Sequence, residues 1–313
     1  MLYPPTLPTW EGPALQHAVL DWYALHQRDL PWRKTSNPYA ILVSEVMLQQ
    51  TQVDRVIPKY RQFLERFPDF PSLASAATAE VIRIWAPLGY NLRAVRLQGI
   101  ARQVVEACNG HLPQEVEALV KLKGVGPYTA AAVACFAFGQ QTPVVDTNVR
   151  RVLGRMLLGV TRPPPKELAL AAKVSLPVVA ASQWNQALMD IGATVCSVRQ
   201  PRCLSCPLQP WCRWANGRQE PALASAGSAH ALAESRGTYR TQPPFKGSSR
   251  YYRGRIVEAL RQTAHNEGMT VEELGAAIRE GYGAGDTPWL EGILQGLERD
   301  GLVKREGATI RLP

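Results

Sequence analysis

Four cysteines, Cys196, Cys203, Cys206 and Cys212, form a C-x6-C-x2-C-x5-C run that fits within seventeen residues. Four thiols at short, fixed spacing can close around one metal centre, which commits this segment to a compact loop. Structural zinc sites usually pair two C-x2-C knuckles across a longer gap, and here only one x2 gap occurs. The uneven spacing better suits an iron–sulfur cubane held by four thiolates; on spacing alone, zinc stays the alternative. Disulfides are a weaker reading, because the first twenty residues lack a basic n-region before an apolar run. Cys108 and Cys135 sit in helical apolar patterns and read as core.

The chain has 313 residues, enough for two or three compact units, and 46% of them are hydrophobic. No run of eighteen apolar residues occurs, so no membrane span is expected. Apolar residues recur at helical spacing over 14–25, 39–48, 53–67, 81–88, 94–107 and 116–122. Residues 217–249, rich in Ala, Ser, Gly and Pro, read as a flexible linker. Helices are expected over 255–264, 271–278 and 289–300, then a short hairpin around Glu306-Gly307. Three helices and a hairpin give 250–313 a winged-helix-like outline, an α+β addition to an otherwise all-α chain.

The loop Leu122-Lys123-Gly124-Val125-Gly126-Pro127-Tyr128-Thr129 precedes a helix of small residues over 130–138. Two glycines permit a sharp turn and close approach of a ligand. Pro127 suits a first helical turn, whose open N–H groups can hold a phosphate oxygen. Such a loop would grip a DNA backbone without reading bases; plain helix packing is the alternative. A net charge of +9 and a pI near 9.4 agree with a polyanionic partner once such a motif is present. Asp146 lies eighteen residues after Tyr128, behind two valines and at the start of another helical pattern. There it can cap a helix N-terminus.

The G-V-G-x-x-T-A loop, the aspartate after an apolar pair and the cysteine run together resemble the helix-hairpin-helix DNA glycosylases related to endonuclease III. Within them, Ser44-Glu45-Val46-Met47-Leu48-Gln49-Gln50-Thr51-Gln52-Val53 resembles the signature of the MutY family, the A/G-specific adenine glycosylases. Leu30-Pro31-Trp32-Arg33, Leu88-Gly89-Tyr90 and Met189-Asp190-Ile191-Gly192-Ala193 match further stretches, so the likeness covers about residues 15–214. It implies a two-lobed fold. Residues 1–29 and 141–216 would form an iron–sulfur cluster domain, and 30–140 a six-helix domain carrying the hairpin.

The resemblance implies a [4Fe–4S] cluster on the four cysteines and double-stranded DNA containing mispaired adenine as partner. It also implies a cytoplasmic, nucleoid-associated enzyme; monomer is the default. Glu45 would protonate adenine, helped by burial in an apolar helix that favours its neutral form. Asp146, with Asn148 as its partner, would stabilise an oxocarbenium-like sugar. Tyr128 stands where endonuclease III-type relatives place a nucleophilic lysine, which implies a monofunctional glycosylase. Arg28, Trp32, Arg33, Gln49 and Gln50 match residues that line the adenine pocket or wedge into the stack, and Tyr90 resembles an intercalating aromatic. Gly124, Gly126 and Thr129 belong to the DNA-gripping loop. Arg199, Arg202 and Arg213 beside the cysteines are candidates for phosphate contacts. Residues 250–313 are too short for the Nudix-like domain of longer family members, which leaves the opposing base open. Removal of thymine from G:T and a non-catalytic iron–sulfur DNA-binding protein remain alternatives.

Overall fold

The computed structural model describes residues 12–217, 244–264 and 267–313. Residues 1–11 and 218–243, the latter most of the expected linker, lie outside the described residues. Among the described residues the helices begin with α1 (Gly12–His26), α2 (Pro38–Leu48), α3 (Val53–Arg66), α4 (Phe70–Ser75) and α5 (Thr78–Trp85). Next come α6 (Leu92–Ala107), α7 (Val116–Leu119), α8 (Pro127–Phe138), α9 (Thr147–Leu158) and α10 (Pro165–Ser175). The series closes with α11 (Ala181–Thr194), α12 (Arg213–Asn216), α13 (Ser249–Gln262), α14 (Val271–Ile278) and α15 (Thr287–Arg299). Three short strands, β1 (Met269–Thr270), β2 (Lys304–Glu306) and β3 (Thr309–Arg311), complete the chain. None of these helices is long and apolar enough to cross a membrane.

By contacts the chain divides into two compact units. One holds residues up to Ile41, Pro113–Lys121 and the stretch from Val125 through the cysteine loop; the other holds Leu42–Leu112, Leu122–Gly124 and the C-terminal part. In the first, α1 buries Leu15, Val19 and Tyr23, spaced four apart on one helical face. They meet Trp184, Leu188 and Ile191 of α11 and Val152, Leu153 and Met156 of α9 in one core. Each such aliphatic side chain contributes about 1.5–3 kcal/mol by leaving water. Gly192 sets how closely α11 and α9 approach: a Cβ there would lie 2.6 Å from the Asn148 Cβ.

In the second unit α3 buries Val56, Tyr60 and Phe63, with Phe63 edge-on to Trp85 at 5.9 Å. The Gln98 amide ties α6 to the α4–α5 corner, donating to Leu73 O at 3.2 Å and Ala76 O at 2.7 Å and accepting from Thr78 at 2.8 Å. Helix α5 starts three residues earlier than the periodicity predicts and stops at Trp85. Pro87 is the reason: it disfavours helical backbone at Ala86, whose ψ is 145°.

The C-terminal helices α13, α14 and α15 bury Leu260, Leu274 and Leu294, as their periodicity predicts. A capping box of Thr270 and Glu273 starts α14. The hairpin β2–β3 gains β1 as a third antiparallel strand in the order β1-β3-β2, a winged-helix topology. This module does not stand apart. Its core includes Ile82 of α5, with Ala79, Leu92 and Val95 packed against it, and the Ala79 N–H donates to Pro313 O at 2.5 Å.

Candidate active site and cysteine loop

Asn37 starts α2 by accepting from the N–H groups of Tyr39 at 2.9 Å and Ala40 at 3.2 Å, with Pro38 in the first turn. The helix is apolar nearly all round: Ile41, Leu42, Val43, Val46 and Met47 are buried. Ser44 and Glu45 are its buried polar residues, Glu45 at 6% exposure. A carboxyl group so placed is a chemical investment, because burying a charge is costly.

Gln49, Gln50 and Tyr90 share a neighbourhood that the sequence motifs did not anticipate: they are organised by Arg93. Its guanidinium, buried in the second unit, donates to Val46 O at 3.1 Å, Met47 O at 2.9 Å and Gln49 O, capping the end of α2. It also donates to Thr51 Oγ1 at 3.0 Å and Gly89 O at 3.1 Å. Burial pushes the Arg93 guanidinium down to about 10. Gln50 and Tyr90 both hold positive φ, 57° and 46°, a rare state for residues other than glycine. Gln49 and Gln50 are exposed, and Tyr90 is 57% exposed.

In the hairpin loop only Gly124 needs left-handed backbone, at φ +107°. A Cβ there would also meet Ile100 at 3.4 Å. Gly126 is extended and serves as the N-cap of α8, with nothing within 4 Å of an added Cβ. The Gln103 side chain pins the loop, accepting from Lys123 N at 2.8 Å and donating to Lys123 O at 3.0 Å. Helix α7 ends at Leu119, short of the expected 122, to make room for this turn. Tyr128, in the first turn of α8, packs on the small core formed by Ala132, Cys135, Val144 and Ala181.

Asp146 is the N-cap of α9, as the local pattern allows, and more. Its Oδ1 accepts from Val149 N at 2.7 Å, and its Oδ2 accepts from the Asn148 amide at 2.9 Å. Arg151, another residue the motifs did not single out, donates to Asn148 Oδ1 at 2.9 Å, Gly192 O at 2.7 Å and Cys196 O at 2.7 Å. The aspartate, the α11 end and the first cysteine are therefore joined by one guanidinium.

All four cysteines of the run line one pocket, together with Arg155, Arg202 and Trp214. Buried Arg155 donates to Cys196 Sγ at 3.4 Å and Ser197 O at 2.7 Å and lies 4.5 Å over the Trp214 ring. Burial pushes the Cys206 thiol up to about 11 and raises Cys212 as well. Among the described residues, no three His, Cys, Asp or Glu side chains are gathered tightly enough for a single ion. Tetrahedral zinc needs sulfurs about 2.3 Å from one ion, whereas a cubane takes one sulfur on each of four irons. Arg199, Arg202 and Arg213 around the pocket are exposed.

Two of the expected pocket residues share one buried carboxylate. Arg33 donates to both oxygens of Asp190, at 2.6 and 2.9 Å, and Arg28 to the same carboxylate from Nε at 2.5 Å and from its backbone N at 3.1 Å. Asp190 is fully buried and Arg33 nearly so, so breaking the pair would leave an uncompensated buried charge. Burial would raise the Asp190 carboxyl, but the hydrogen bonds and charge of Arg33, then Arg28, hold it below the usual range. Trp32 is core, 9% exposed. The Thr129 side chain is buried too, which leaves only the first-turn backbone of α8 to offer. Cys135 is buried as expected, whereas Cys108 is half-buried at the end of α6.

Residues 43–177 match the family model described as HhH-GPD superfamily base excision DNA repair protein. The chain is 40% identical over 296 residues to the adenine DNA glycosylase of Mycobacterium tuberculosis, covering 92% of this chain and 89% of that one. It is 42% identical over 231 residues to the adenine DNA glycosylase of Homo sapiens, covering 70% of this chain and 42% of the human one. Among solved structures, a thermostable thymine-DNA glycosylase is similar with a TM-score of 0.62 at 30% identity, over 66% of this chain and 96% of that one.

Proposed function

This chain belongs to the adenine DNA glycosylases, and from that premise we propose that it removes adenine mispaired with 8-oxoguanine or guanine, leaving an abasic site in an uncut strand. Cleaving the N-glycosidic bond creates a poor anionic leaving group and a cationic sugar. Glu45 supplies the proton to a ring nitrogen of adenine as the bond breaks and its electron pair passes to the base. Asp146 faces the sugar cation as a carboxylate, and water then adds to the anomeric carbon, losing its proton to Glu45. The observation that carries this reading is the fixed Asp146 carboxylate, one oxygen on Val149 N–H and the other on Asn148, oriented before any substrate arrives. Tyr128 offers a phenol where a lysine amine would attack the sugar, which supports hydrolysis without strand cleavage.

Tyr90, Gln49 and Gln50 form the exposed wedge that fills the stack when adenine leaves it. The hairpin from Gly124 through the first turn of α8 grips phosphate through backbone N–H groups. Cys196, Cys203, Cys206 and Cys212 would hold a [4Fe–4S] cluster, which supplies a rigid tether for the exposed Arg199, Arg202 and Arg213. The enzyme would act as a monomer on DNA in the cytoplasm.

Turnover on duplexes containing A:8-oxoG, A:G, A:C and T:G, followed by alkali, tests the proposal. Abasic sites opposite 8-oxoguanine and guanine, without nicking before alkali, are expected. The likeness to a thymine-DNA glycosylase favours a second reading, thymine removal from G:T, and faster release from T:G than from either adenine mispair would install it.

A further inference from the structure

The C-terminal module has the outline of a DNA reader but not its electrostatics. Residues 249–313 hold nine of the chain's 35 Lys and Arg residues but ten of its 26 Asp and Glu residues, so the chain's positive charge lies elsewhere. The module's own cations are largely consumed internally: Arg253 by Asp300, Arg279 by Asp286, Arg305 by Glu291 and Lys304 by Glu306. A domain that neutralises phosphates needs a cationic surplus. What the module does have is a firm seat on α5 and α6, in the core containing Ile82, Leu92 and Val95.

That seat ends beside Tyr90. Arg261 of α13, its side chain 9% exposed, donates to Asn91 Oδ1 at 2.7 Å and to Glu258 at 2.8 Å. Asn91 is the N-cap residue of α6, yet its side chain caps no helical N–H. An asparagine at this position ordinarily serves its own helix; here it serves the module. Its neighbour Tyr90 holds φ +46°, a conformation that persists only where the surroundings over-determine it. Arg93 fixes the turn from one side through Gly89 O, and Arg261 fixes it from the other through Asn91.

We propose that the C-terminal module is a brace for the Tyr90 turn rather than a reader of DNA, with Arg261 as the positioning residue that acts through Asn91. This rests on the reading of Tyr90 as the wedge. The module thereby tunes how readily the aromatic enters the stack, and hence the rate of adenine extrusion, while DNA affinity stays with the rest of the chain.

The test uses the full chain and single-turnover adenine release from an A:8-oxoG duplex. It is paired with the fluorescence of 2-aminopurine placed beside the target adenine, which reports unstacking. Arg261→Ala and Asn91→Ala should each slow release about tenfold, the equivalent of one charge-assisted hydrogen bond, and reduce unstacking. Combined, they should do no worse than either alone, and neither should matter further in a Tyr90→Ala background. Asn91→Ala leaves the module's interior untouched, so it answers even if Arg261→Ala folds poorly. Slow release by Tyr90→Ala with parental rates for Arg261→Ala and Asn91→Ala overturns the brace and leaves the wedge standing. A parental rate for Tyr90→Ala removes the wedge reading, and the brace with it. Weaker DNA binding with a shallower salt dependence in Arg261→Ala, but not in Asn91→Ala, also overturns it, because the arginine would then be meeting phosphate itself.

Discussion

Arg93→Met removes the guanidinium that joins the end of α2 to the Tyr90 turn while keeping most of the side-chain volume. Six acceptors lose their donor: Val46 O, Met47 O, Gln49 O, Gly89 O, Tyr90 O and Thr51 Oγ1. The three from 46–49 lie at the end of α2, where intrahelical partners run out. Hydrogen bonds from a charged donor contribute about 1.5–3 kcal/mol each. Against them stands the cost of burying the charge, visible in the fall of Arg93 from its ordinary value to about 10 and equivalent to about 3 kcal/mol. With the guanidinium's five N–H groups taken at the low end of that range, the net loss on substitution is about 4 kcal/mol. At about 2–4 °C per kcal/mol, that lowers Tm by roughly 10 °C. Arg93→Lys should recover less than half, because a single ammonium cannot span both turns. Urea unfolding of the three proteins measures the loss, and adenine release under folded conditions shows whether the wedge is disturbed. A stability change under about 1 kcal/mol, with parental release, would refute the assignment of Arg93 as the organiser of this corner.

Asp190→Asn should destabilise the fold by about 3–5 kcal/mol at pH 7, because it strands Arg33 and Arg28 without their shared anion. In the parent that contribution is complete above the ordinary aspartate value of about 3.9 and disappears as pH falls through the lower folded value. Urea midpoints for parent and variant should therefore stay apart from pH 7 down to about pH 4 and draw together only below it, and a gap that is unchanged as the pH is lowered further would contradict the ion triad. Gly192→Ala puts a methyl group 2.6 Å from the Asn148 Cβ, so α9 and α11 must separate. A loss of about 1–3 kcal/mol is expected, with slower adenine release as Asn148 shifts under Asp146; unchanged release would disconnect Gly192 from the site.

The helices were largely legible because their apolar spacing is regular, and Asp146 as a cap was legible because its partner is three residues away. What escaped reading was long-range. Arg93 looks like one more polar residue in α6, and its acceptors lie more than forty residues upstream on α2. Nothing local to Arg28 and Arg33 says that Asp190, over 150 residues away, holds both of them. The same holds for the C-terminal module: Ile82, Leu92 and Val95 are apolar in sequence, but nothing local says that Leu260 and Leu294 share their core. Pro87 and the glycine turn at 124–126 are local signals, and periodicity alone overruns them at the ends of α5 and α7.

The central claim is that Glu45 gives adenine its proton. Glu45→Gln keeps the size and the hydrogen-bonding capacity of the side chain but has no acidic proton to transfer. Single-turnover adenine release from A:8-oxoG, measured beside duplex affinity, should fall at least about 100-fold with binding retained. Release within a few-fold of the parent would contradict the account.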